Sequence, residues 1–165
     1  MNTLIILLMI IFNLVIQTTI IPFFPIMGIV PNTALVLIVV IALKVGRVRG
    51  AIFGLIAGFM QDILFSSTIG INAFILFFVG YTVGFAENSF SRENIINPII
   101  FTVVATIFYN FAYSLFLFFL SREIFFIDAV KNIFSIEIIY NALFAVIYGY
   151  LVHLIFTKPK IRFKR

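Results

Sequence analysis

The chain has 165 residues, of which 64% are hydrophobic and only 10% charged, with a mean hydropathy of +1.25 and a net charge of +5. Soluble domains average about 25% charged residues, so this composition excludes a wettable globule and specifies a multi-pass membrane protein with no separate soluble domain. The absence of Cys excludes disulfides, thiolate metal sites and cysteine catalysis, and the basic residues stand at the ends of apolar runs, where they orient a membrane protein and meet anionic lipid rather than nucleic acid.

Six apolar segments follow one another along the chain. The first, Thr3–Ile21, ends before Pro22 and Pro25. It lacks a basic flank and is longer than the about 7–15-residue apolar core of a signal peptide, so it reads as a retained first helix. The second covers Ile29–Leu43, with Pro31 near its start, a position that tolerates proline. The third covers Ala51–Phe65, the fourth Gly70–Ala86, the fifth Ile95–Leu120 and the sixth Ile133–Phe156. A straight span takes about 20 residues. The second and third fall short, so they are expected to be shielded by neighbours, extended by snorkelling side chains or flanked by thinned bilayer, and the long fifth is expected to tilt.

The third segment carries Gly50, Gly54, Gly58 and Asp62, one every fourth residue, and the fourth carries Asn72, Gly80 and Gly84 on the same register. The fifth repeats the spacing with Thr102, Thr106, Asn110 and Ser114, and the sixth with Glu137, Asn141, Ala145, Gly149 and His153. Asn13 and Gln17 do so in the first. A helix turns every 3.6 residues, so each set keeps to one broad face. Helices in lipid gain little by burying apolar surface against each other; small residues that permit close approach and polar residues that bond across helices must hold the bundle together. Gly50, Gly54, Gly58, Gly80 and Gly84 are therefore expected to form a packing seam, and Asp62, Asn72, Asn110, Glu137 and Asn141 to be polar anchors.

With the N-terminus inside, Lys44, Arg47, Arg49, Arg92, Lys158, Lys160, Arg162, Lys164 and Arg165 fall on the inner side and only Arg122 and Lys131 on the outer. That bias fits an even number of spans with both termini cytoplasmic; five spans with one short re-entrant segment would put the tail on the other side and lose most of it. Residues 1–157 read as one six-helix transmembrane domain and 158–165 as a basic tail. Lys44, Arg47, Arg49, Lys158, Lys160 and Arg162 would face anionic lipid.

Intramembrane acids often mark ion pathways. A relay between Asp62 and Glu137 would need a base, and the only histidine, His153, lies at the opposite end of its segment. No nucleophile, nucleotide or zinc motif is present, so neither an enzyme nor a cofactor is expected. Residues 21–32 (IPFFPIMGIVPN) and 121–132 (SREIFFIDAVKN) are apolar outer segments, suited to the head-group layer or a partner.

The block from Gly50 through Asp62, Gly70, Asn72, Gly80 and Tyr81 to Gly84, with the basic loop before it, resembles the central signature of the MreD family of rod shape-determining membrane proteins. The Pro31–Asn32 start of the second segment, the Tyr140–Asn141 pair and the basic C-terminus are similar too, although Pro31–Asn32 departs from the Arg-Pro-Asp form of many members. The resemblance implies a non-enzymatic role in the bacterial inner membrane, within the cell-elongation machinery. Its implied partners are an MreC-like bitopic protein, the actin-like MreB, RodA and a penicillin-binding transpeptidase. It also implies an all-α bundle of six transmembrane helices, similar to the substrate-binding subunits of energy-coupling-factor vitamin transporters. Such a subunit is the alternative reading. It is disfavoured by a first segment without the alanines those proteins use for docking.

Overall fold

A computed structural model describes residues 3–26, 28–66, 68–87, 96–120 and 136–156. Within them the chain forms six α-helices: α1 (Thr3–Thr19), α2 (Thr33–Val45), α3 (Arg47–Phe65), α4 (Ile71–Gly84), α5 (Ile96–Phe119) and α6 (Glu137–Phe156). Short 3₁₀ turns follow α1 at Ile21–Phe23 and α4 at Phe85–Glu87. The helices α1, α3, α5 and α6 are long and apolar enough to cross a membrane, whereas α2 and α4 are shorter.

The pattern of short segments differs from the sequence expectation. The third helix reaches 19 residues because it begins at Arg47, so two arginines form its first turn instead of preceding it. The fourth stops at 14 residues because Gly84 gives way to the 3₁₀ turn.

The second helix has only 13 residues, about 20 Å of rise. It begins at Thr33, not Ile29. Asn32 caps it, its side-chain oxygen accepting from Leu35 N at 3.1 Å. Before the cap, Ile26 and Ile29 exchange backbone hydrogen bonds at 3.0 Å around Gly28, whose φ of 78° suits glycine.

Every residue of α2 from Thr33 to Leu43 is buried. The other five helices all pack against it. A helix apolar on every side is stable only when covered on every side. Its shortness is thus tolerated because protein, not lipid, surrounds it. The remaining helices turn bulky faces outward, such as Leu4, Leu8 and Phe12 on α1 and Val48, Ile52, Leu55, Phe59 and Ile63 on α3.

Candidate functional site: a glycine seam ending in a buried polar network

The helices α3 and α4 form an antiparallel hairpin whose backbones touch. A methyl group added at Gly50 would lie 2.6 Å from Gly80 O and 2.8 Å from Ala42 Cβ. At Gly54 it would lie 2.7 Å from Leu76 C, and at Gly58 2.6 Å from Ala73 Cα. From the other helix, one at Gly80 would meet Gly50 C at 2.6 Å, and one at Gly84 would meet Arg47 N at 2.5 Å. No side chain larger than hydrogen fits at any of the five without moving a main chain, and in lipid such contact is what dispersion needs to hold two helices together. Gly149 of α6 shares the four-residue spacing but not the contact: a methyl there would meet only Pro98 Cγ, at 3.6 Å.

Asp62 continues the seam to its end and is completely buried. Its Oδ2 accepts from Gly70 N at 2.9 Å and Ala73 N at 3.0 Å. Its Oδ1 accepts from Asn72 N at 3.1 Å and Asn72 Nδ2 at 2.9 Å. The cap position of α4 is Gly70, which has no side chain with which to cap. Asp62, reaching across from α3, satisfies the N–H groups that the first turn leaves free, where the helix dipole favours an anion. This explains how a carboxylate survives in an apolar segment. The other end of the hairpin is similar: the cap position of α3 is Gly46, also without a side-chain cap, and the Glu87 carboxylate occupies the space a methyl on Gly46 would need.

From Asp62 the hydrogen bonds spread to the other helices. Asn72 Nδ2 also donates to Ser66 Oγ at 2.8 Å, and Tyr109 of α5 donates its hydroxyl proton to Asn72 Oδ1. One residue before Asp62, Gln61 Nε2 donates to Asn32 Oδ1 at 3.2 Å. Asn32 N in turn donates to Asn141 Oδ1 of α6 at 2.9 Å. Asn141 Nδ2 donates to Thr106 Oγ1 at 3.1 Å and Glu137 Oε1 at 3.3 Å, while Asn110 Nδ2 donates to Glu137 Oε2 at 3.1 Å. The first helix joins through Thr33 Oγ1 donating to Gln17 Oε1 at 3.1 Å and Tyr148 donating to Asn13 Oδ1. The Gln61 Oε1 atom in this network, and Thr102 Oγ1 one turn before Thr106, are buried with no hydrogen-bond partner.

The structure thus brings Asp62 and Asn72 together in one knot and Asn110, Glu137 and Asn141 in another. Both lie at the end of the bundle where α2, α4 and α6 begin. Gln61 and Tyr109, which the sequence reading did not single out, belong to the same network. Gln61 was legible as a second polar residue beside Asp62, and Tyr109 reads from sequence like any membrane aromatic. Arg47 and Arg49 are exposed at the opposite end of the seam and Lys44 is half-buried there. His153 is exposed near the end of α6. Lys158, Lys160, Arg162 and the segment 121–132 lie outside the described residues. Among the described residues no three His, Cys, Asp or Glu side chains group as metal ligands.

Compared with known proteins, residues 1–158 match the family model of the rod shape-determining protein MreD, and the chain belongs to that family. It is a multi-pass membrane protein of a shape-determining family. No curated protein and no solved structure matches it.

Proposed function

We propose that this rod shape-determining protein works as a rigid, non-enzymatic scaffold of the bacterial cell-elongation complex, with both termini in the cytoplasm. The observation that carries this reading is where the polar groups go. The carboxylate of Asp62 is spent on the first turn of α4, and the amides of Asn32, Asn72 and Asn141 are spent on each other's helices. What faces outward is bulky and apolar, as on the α3 stripe from Val48 to Ile63. A bundle locked inside and apolar outside offers partners a surface rather than a reaction. The MreC-like protein would dock by its membrane helix. MreB would be reached at the cytoplasmic face, and RodA with its transpeptidase through the assembled complex.

The test is affinity purification of the full chain in mild detergent, with mass spectrometry of what co-elutes. Recovery of an MreC-like protein and wall-synthesis enzymes supports the scaffold. Recovery of a pair of ATPases with a membrane coupling subunit would overturn it in favour of a vitamin-binding transporter subunit, and the Asn32–Gln61–Asn141 network would become the candidate substrate site.

A further inference from the structure

Two adjoining hollows run between α4 and α5, one of about 160 Å³ beside Ala112 and one of about 230 Å³ beside Thr82, and Phe108 lines both. Val79, Val83 and Ala105 lie along the second hollow. All three are buried, and Phe74, Phe78 and Phe108 on the rim are exposed. The single polar side chain, Thr82, donates its hydroxyl back to Phe78 O at 2.8 Å and Val79 O at 3.2 Å. Nothing in the groove therefore asks for a polar ligand.

Its size selects the occupant. A membrane helix is about 10–12 Å across and does not enter. An apolar cavity of about 150 Å³ takes one benzene ring, so the two hollows together take on the order of a dozen carbons. From Phe101 to Ala112 the groove follows α5 for about 16 Å, at about 1.5 Å per residue. That is about half of a 30 Å hydrocarbon core, the depth that one lipid reaches from its own surface.

The ends differ. Beyond Ala112, the Phe74 and Phe116 rings meet edge to face with centroids 5.4 Å apart and close the groove. The Thr82 end lies three residues before Phe85, at the depth where Gly84 touches Arg47 across the seam and where Arg47 and Arg49 are exposed. The Arg47 guanidinium sits 5.0 Å from the centroid of the exposed Phe85 ring. A guanidinium placed over a ring keeps N–H groups for phosphate oxygens.

We propose that the α4–α5 groove holds one acyl chain of an anionic phospholipid, whose phosphate is bound at Arg47. The site is independent of the scaffold reading, since it needs no protein partner.

Native mass spectrometry of the full-length protein in detergent, titrated with phosphatidylglycerol and with phosphatidylcholine of the same chains, tests it. The wild type is expected to retain one phosphatidylglycerol in preference to phosphatidylcholine. Thr82→Phe and Ala112→Phe, which fill one hollow each, should weaken retention by about tenfold or more. Arg47→Gln should bring phosphatidylglycerol down to the phosphatidylcholine level. Val48→Phe, on the exposed stripe of α3, should change nothing. Thr82 is exposed, so its variant keeps the fold, which size-exclusion chromatography verifies. No retained lipid, equal retention of the two lipids by the wild type, or unchanged retention in both groove variants would overturn the proposal.

Discussion

The fourth helix meets its two neighbours in opposite ways. Toward α3 it presents Gly80 and Gly84, and main chain lies on main chain. Toward α5 it presents Phe74, Phe78, Val79 and Val83, and the side chains leave two hollows. Away from Asp62, Asn72 and Tyr109 both interfaces are apolar, so hydrophobicity cannot tell them apart there, and in lipid it cannot even tell a helix from an acyl chain. Glycine discriminates, because it alone lets dispersion act between backbones. The seam is a permanent contact of the fold, and the α4–α5 interface has room for lipid.

The change expected to disturb this contrast most is Gly54→Ala. Overpacking ordinarily costs about 1–3 kcal/mol, and a methyl pressed against the Leu76 main chain belongs at or above the top of that range. Gly149→Ala is the matched control, since its methyl meets a proline ring at ordinary distance. There the gain in helix propensity, up to about 1 kcal/mol, should leave stability unchanged or slightly raised. Unfolding in mixed micelles, followed by loss of helical circular dichroism, measures both. Equal behaviour of the two variants would remove the distinction between a glycine that touches backbone and one that merely keeps the spacing.

Asp62→Asn comes next. The amide keeps one oxygen, but its NH₂ group must face donors: Gly70 and Ala73 N–H on one side, or Asn72 N–H and Nδ2 on the other. Hydrogen bonds to a charged group are worth about 1.5–3 kcal/mol each, so a loss of about 3 kcal/mol is expected, visible as lower folded yield by size-exclusion chromatography. A variant as abundant and as stable as the wild type would show that the α4 cap needs no charge.

The seam was legible in the sequence because a glycine every fourth residue has few other uses in a membrane helix. The acids were legible as expensive residues, but not their partners: Asp62 is matched by backbone N–H groups, which no side-chain pattern reveals. The shortness of α2 admits shielding by neighbours or a thinned bilayer, and its composition does not choose between them. TALVLIVVIALKV is apolar on every face, and a helix covered by five others looks the same in sequence as one covered by lipid. The third segment falls short only while Arg47 and Arg49 are counted as loop; long basic side chains at a helix end extend into the interface and leave the backbone helical, which is the snorkelling extension that the sequence allows. Gly149 had the right spacing and the wrong neighbour.

Asn141→Leu is expected to have a smaller effect than either seam change, and the reason bears on how the bundle is held. Asn141 makes three hydrogen bonds, to Asn32, Thr106 and Glu137, and so ties α6 to α2 and α5. Interhelical polar contacts in membranes average about 0.6 kcal/mol each, because the separated helices find other partners, so a total of about 1–2 kcal/mol is expected. Tyr148→Phe, which removes the one bond to Asn13, should cost about 0.6 kcal/mol. If the same unfolding assay puts Asn141→Leu level with Gly54→Ala, the polar network shares the work of the seam. If the predicted order holds, backbone contact between α3 and α4 supplies the cohesion, and the network serves mainly to fix the register in which the other helices gather round α2.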